Sequence, residues 1–150
     1  MTALTDIYHF LPLTDTLLTA GQPTEAQFQA VAEAGVSTVI NLALTTNSSA
    51  LPDEAGLVRR LGMNYIHIPV VWEAPTRKAL DQFMDTLDGQ AGQKVLVHCA
   101  ANMRVSAFVA LYRILRKGWK RESAFQDVIR IWDPDENDVW RKFIESVLKK

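Results

Sequence analysis

The sequence is short of the features that would place a protein outside the ordinary globular class. It holds one cysteine, Cys99, so no disulfide can form within the chain, and a thiol that must stay reduced suits the cytosol. No apolar run approaches the ~18 residues of a membrane-spanning helix, so no membrane partner is expected. The first residues, Met1-Thr2-Ala3-Leu4-Thr5-Asp6, carry neither a basic segment nor an apolar one, and no signal peptide is read there. Neither sign of charge dominates: the net charge is −1, which argues against nucleic acid as a partner. With only seven glycines and six prolines, the chain has no low-complexity tract, and no internal repeat or linker divides it. No grouping of Cys and His has metal-ligand spacing, so no metal and no cofactor are implied.

What remains is ordinary: 150 residues, 48% apolar and 22% charged, enough for one domain over residues 1–150 with a sizeable core. Short β-rich runs alternate with helical periodicity. Segments 7–11 and 16–19 read as two short strands forming a hairpin at a sheet edge. Thr24 and Gln27 form a capping box for a helix through Ala34, stopped by Gly35. Strands are expected over 37–42, 65–68 and 94–98, and helices over 53–61, from Thr76 to Gly89, and over 104–118. A further helix from about Ala124 to Trp132 and a last one over 138–147 make the final third helical. This alternation predicts a single three-layer α/β domain, with a mostly parallel sheet of four or five strands flanked by helices.

The stretch that organises the chain is Lys94-Val95-Leu96-Val97-His98-Cys99-Ala100-Ala101-Asn102-Met103-Arg104-Val105-Ser106. It reads as strand, small polar loop and helix, with Cys99 at the carboxyl end of the strand, where open α/β sheets bind ligands. The amides of such a loop form an anion-binding nest, and the helix that follows adds its positive dipole end. The same field favours a thiolate, the nucleophilic form of cysteine. Arg104 would offer an oxyanion a planar fork of donors.

Val97-His98-Cys99, then a loop, an arginine and Ser106, resembles the signature of the cysteine-dependent tyrosine and dual-specificity phosphatases. Segments 20–24, 39–42 and 61–70 extend the resemblance to the bacterial nonclassical, eukaryotic-like phosphatases, related to the beta-lactamase-hydrolase-like proteins. It implies a tyrosine-phosphatase-like fold and a phosphoester hydrolase acting on a phosphorylated protein or small molecule, without metal or organic cofactor. It also implies roles. Cys99 attacks phosphorus, and Arg104 holds the phosphoryl oxygens over the loop Ala100, Ala101, Asn102 and Met103. His98 orients the loop and tunes the thiolate, and Ser106 donates to it. Glu73, on the loop Val70 to Pro75, protonates the leaving oxygen, with Trp72 as a pocket wall. One departure stands out: four residues, not five, separate Cys99 from Arg104. Rhodanese-type sulfurtransferases use that shorter spacing, so sulfur transfer, or a phosphatase-like module that binds an anion without turnover, remain alternatives.

Several residues have plainer readings. Trp119, Trp132 and Trp140 fit helix packing, and His9 and His67 fit structural roles. Asp133 and Asp135 fit a turn with helix caps. The basic cluster Arg113, Arg116, Lys117, Lys120 and Arg121 complements a helix carboxyl end.

Overall fold

The computed structural model describes residues 3–149. Five strands form one sheet: β1 (Leu11–Pro12), β2 (Leu17–Ala20), β3 (Thr38–Asn41), β4 (Asn64–His67) and β5 (Val95–His98). Their spatial order is β1-β2-β5-β3-β4. β5 runs parallel to both β2 and β3, and β4 parallel to β3, while β1 closes one edge antiparallel to β2. The last strand in sequence therefore lies at the centre of the sheet, with all four residues buried, and it is the one that delivers Cys99. The expected mostly parallel α/β sheet is present.

Six α-helices cover the sheet: α1 (Glu25–Glu33), α2 (Glu54–Arg60), α3 (Arg77–Asp88), α4 (Met103–Lys117), α5 (Arg121–Ile129) and α6 (Asp138–Leu148). Successive strand residues point to opposite faces, and the core divides accordingly. Ile40, Val95 and Val97 pack with Phe83, Met84, Phe108, Leu111 and Trp140 from α3, α4 and α6. Val39 and Leu96 pack on the other face with Phe28, Val31 and Val58 from α1 and α2. The alternation continues past the end of β5: His98 faces Phe28 across 5.7 Å on the α1 side, while Cys99 joins the core on the α4 side.

Local signals account for the boundaries. Thr24 Oγ accepts from Gln27 N at 3.2 Å, and Gln27 Oε1 accepts from Thr24 N at 2.9 Å, closing the expected capping box. Asp53, Thr76 and Asn137 cap α2, α3 and α6. Gly35, Gly62 and Gly118 follow α1, α2 and α4 with φ of +90°, +89° and +72°. Some boundaries differ from expectation, and α5 starts at Arg121, ahead of Ala124. Residues 7–10 form no strand, because His9 takes φ +50° and turns the chain before β1. α5 ends at Ile129, and Trp132 leaves the helix to reach α4. α4 begins one residue early, at Met103. Among the described residues no helix is long and apolar enough to cross a membrane.

The basic residues that close the α4 and α5 region are ion-paired: Arg113 with Asp127 at 2.8 Å, Arg116 with Asp85 and Asp88, and Arg121 with Glu145. These contacts pin helices together and leave those guanidiniums committed to carboxylates rather than to a free anion.

Candidate active site

The loop between β5 and α4 occupies the mouth of the sheet. Its carbonyls are consumed by the scaffold: Ala100 O accepts from Gln22 N at 3.0 Å, Ala101 O lies 2.8 Å from His9 Nδ1, and Asn102 O accepts from Ser106 N at 2.9 Å. Its amides are not. Among the described residues, no acceptor takes the N–H of Ala100, Ala101, Met103, Arg104 or Val105. Asn102 makes this possible. It stands at the N-cap of α4 with φ +64°, a left-handed conformation that asparagine tolerates better than most residues. Its side chain caps nothing: Nδ2 donates to His9 O at 2.9 Å and to Thr19 Oγ1 at 3.0 Å. A run of uncapped amides at a helix N-terminus is a ready anion site.

Cys99 opens this loop, 1% exposed, its amide donating to Ala20 O at 3.3 Å. Arg104, 6% exposed on the first turn of α4, donates from Nη1 to Val70 O at 2.8 Å. That bond ties the cradle to the loop that follows β4. The only fully buried side-chain N or O atom without a partner among the described residues is Asn102 Oδ1, so the remaining donors of Arg104 are either partnered or still reach solvent.

His98 is fully buried, with Nε2 2.6 Å from Glu54 Oε2 and Nδ1 3.2 Å from the Cys99 carbonyl oxygen. Glu54 also accepts from Gln22 Nε2 at 2.8 Å. Burial pushes the Glu54 carboxyl up, but the hydrogen bond and charge of His98, with help from Gln22, outweigh it and hold the group below its usual 4.5. Sequence reading missed Glu54, because its partner lies 44 residues away and local periodicity shows only the first residue of α2. The signal available was indirect: a histidine at the end of a buried strand needs a polar partner.

The remaining expected residues fall as follows. Glu73 is exposed on the turn after β4. Trp72 packs at a tilt against Trp132 and Trp140 at 5.3 and 5.4 Å, and its carbonyl accepts from Trp140 Nε1 at 2.9 Å, so the loop is braced from within. Ser106 differs from expectation. Its hydroxyl donates to Met103 O at 3.1 Å and accepts from Trp132 Nε1 at 3.0 Å, so its one proton turns back on its own helix instead of toward Cys99. Asp133 accepts from Asp135 N at 3.0 Å and so caps a short 3-10 turn, as read from the sequence.

Beside the cradle, Tyr8, Gln22, Pro23, Asn47, Ala100 and Ala101 line a groove of about 520 Å³ in which no charged side chain takes part. Among the described residues no group of His, Cys, Asp and Glu is arranged to hold a metal.

Comparison with known proteins bears on this arrangement. A search of curated proteins finds no match. A candidate phosphatase of the DUF442 class from Shewanella putrefaciens CN-32 superposes with a TM-score of 0.86 at 36% identity, over 96% of this chain and 93% of that one. TpbA of P. aeruginosa, solved with phosphotyrosine, gives 0.74 at 16% identity, covering 96% and 86%. PTPMT1, solved with PI(5)P, gives 0.72 at 22% identity, covering 93% and 96%. The two more distant likenesses establish a tyrosine-phosphatase-like fold. The family model described as "DSP-PTPase phosphatase fused to NAD+ Kinase" matches residues 12–141. The chain belongs to that family, the DSP-PTPase phosphatases, which places it among the hydrolases of phosphoric monoesters.

Proposed function

We propose that the chain hydrolyses phosphate monoesters through a covalent intermediate on Cys99. The observation that carries this reading is the set of acceptor-free amides at Ala100, Ala101, Met103, Arg104 and Val105, in the loop and first helical turn that follow Cys99 and carry Arg104. Three phosphoryl oxygens would accept from these amides and from the free donors of Arg104, the pre-set electrostatic arrangement that stabilises charge in the transition state. The Cys99 thiolate attacks phosphorus, an S–P bond forms, and the P–O ester bond breaks. The leaving oxygen takes its proton from Glu73, the exposed carboxylic acid on the loop that Arg104 and Trp140 anchor. Water then gives a proton to the Glu73 carboxylate and attacks the same phosphorus, the S–P bond breaks, and inorganic phosphate leaves with the thiolate and the Glu73 acid restored.

The lining of the adjacent groove favours a leaving group without charge. Tyr8 offers an aromatic face, Gln22 and Asn47 offer amides, and no lysine or arginine is present to hold a second phosphate. A phenolic or hydroxylic monoester suits such a surface better than a polyphosphorylated one. The family assignment favours phosphoryl over sulfur transfer, so the four-residue loop is read as a compact phosphate cradle.

The test is rapid quench with an aryl phosphate followed by mass spectrometry. One phosphoryl group on Cys99, lost together with turnover in Cys99→Ser and insensitive to chelator, is the expected result. Turnover that survives in Cys99→Ala overturns the reading. Tight phosphate or vanadate binding with no turnover at all reduces the site to an anion-binding module.

A further inference from the structure

The groove beside the cradle has features that holding a phosphate does not explain. Ala100 and Ala101 of the anion loop line it together with Tyr8, Gln22 and Asn47, so it opens where an ester's leaving group departs. Tyr8 is 57% exposed and yet firmly held. One face of its ring stacks on His9 at 4.0 Å and 16°. His9 Nδ1 lies 2.8 Å from Ala101 O, Asn102 Nδ2 donates to His9 O at 2.9 Å, and Gly21 N donates to Tyr8 O at 2.7 Å. The ring edge reaches over Gly21, where a Cβ would stand 2.9 Å from Tyr8 Cδ2. The stack is thus fixed to the anion loop and to the end of β2, and the outer face of the phenol ring is left open.

The amides of the groove are equally defined. Gln22 Nε2 donates to Glu54 Oε1 and to Pro23 O, both acceptors, so the amide is oriented with Oε1 unused among the described residues. Asn47 Oδ1 accepts from Ser49 N at 3.0 Å and from Ser49 Oγ at 2.8 Å, so this amide is oriented with Nδ2 unused. The groove therefore combines an aromatic face, a spare acceptor and a spare donor, without a charged side chain.

We propose that the substrates are nucleoside monophosphates, with the nucleoside in this groove and its base stacked on Tyr8. The proposal rests on the reading of the chain as a phosphate monoesterase acting through Cys99. A volume of about 520 Å³ lies in the range of small-molecule sites. A base brings a π-face to Tyr8 and an edge of donors and acceptors to Asn47 Nδ2 and Gln22 Oε1. A phenol ring would meet the same two atoms with C–H groups, leaving them stripped of water and without a partner. That penalty is how a polar site rejects an apolar analogue. A sugar phosphate lacking a base would leave the Tyr8 face uncovered. The absence of lysine and arginine from the groove matches a neutral nucleoside, and it disfavours di- and triphosphates, whose further charges would meet no cation there. The leaving group is then a ribose hydroxyl, which needs the proton of Glu73.

Steady-state kinetics on the four nucleoside 5′-monophosphates, ribose 5-phosphate and a phosphotyrosine peptide tests the proposal. At least one nucleotide should exceed both other substrates in kcat/KM by about tenfold. Losing a base–aromatic stack costs about tenfold or more, so Tyr8→Leu should lose about tenfold more on that nucleotide than on ribose 5-phosphate, chiefly through KM. Tyr8→Phe, which keeps the ring, should keep the preference. Equal kcat/KM on nucleotide and ribose 5-phosphate in the native chain overturns the proposal. So does a preference for the peptide, or an equal loss on both substrates in Tyr8→Leu, the sign of a ring that only supports the fold. Should Tyr8→Leu fail to fold, the native preference decides. A Cys99 phosphoenzyme formed from p-nitrophenyl phosphate without any nucleotide preference sinks only the base site. Calorimetric binding of a nucleotide but not of ribose 5-phosphate, in a chain that forms no phosphoenzyme, sinks only the nucleophile.

Discussion

Gly21, the residue after β2, offers the sharpest structural test of how the cradle is held. Its amide donates to Tyr8 O at 2.7 Å, and it pairs with Ala101 across an isolated antiparallel bridge. A Cβ at this position would meet Ala100 O at 2.6 Å and Tyr8 O at 2.9 Å. Both atoms belong to the backbone, so neither can rotate aside. Real Cβ contacts essentially never fall below 3.0 Å, which means that Ala100 must move by about 0.4 Å at least. Overpacking of this kind costs about 1–3 kcal/mol. At about 2–4 °C per kcal/mol for a chain of this length, Gly21→Ala should melt roughly 2–12 °C lower than the wild type. Because the displaced atom belongs to the anion loop, kcat on an aryl phosphate should fall as well, by about tenfold, a smaller effect than the ~10² that a 1 Å misplacement brings. Gly35→Ala is the control. It stands at φ +90° with nothing within 4 Å of its Cβ, so it should lose about 1–2 kcal/mol through backbone strain and leave turnover unchanged. Thermal melts and steady-state kinetics on the two variants decide the matter. If Gly21→Ala melts and turns over like the wild type, or loses stability with no loss of kcat, the close approach does not position the loop.

Two further outcomes follow from the site. Glu54 is held below 4.5 in the folded chain, so its stabilising contribution is complete above that value and is lost as the pH falls through the lower folded one. Breaking the buried pair in Glu54→Gln should cost about 3–5 kcal/mol at neutral pH. Urea unfolding should show that gap narrowing in acid below 4.5, and parallel profiles would contradict the linkage. Glu73→Gln should slow hydrolysis of an alkyl phosphate far more than that of p-nitrophenyl phosphate, whose leaving group needs no proton; equal losses on both substrates would remove Glu73 as the acid.

Much of this architecture is readable in the chain because short-range patterning decides it. Leu80, Phe83, Met84 and Leu87 keep helical spacing, and all four are buried on α3. Thr24 and Gln27 announce α1 by chemistry confined to one turn. The strand–loop–helix around Cys99 is legible for the same reason. What escaped the reading depends on partners far along the chain. Ile7 and Phe10 look like strand residues, yet His9 turns over into φ +50° and bonds Ala101, 92 positions on. Trp132 extends a helical pattern, but its indole is drawn off to Ser106, 26 residues back. Glu54 carries no mark of its role, since only the folded sheet sets it against His98. Tertiary contacts win over local propensity at these places, and they concentrate around the loop that carries the chemistry.

The brace between residues 8–9 and the anion loop has a consequence for how the molecule matures. During synthesis Tyr8 and His9 emerge long before most of what they grip: Gly21 aside, those groups are made some 92 and 93 residues later. Contacts of such long sequence separation are repaid only after the entropy of closing the intervening chain has been met, which puts them late in folding. Until that clasp forms, the sulfur is carried on a segment with nothing latched over it, so a slow or interrupted folding reaction is also the interval in which oxidants reach the thiol most easily.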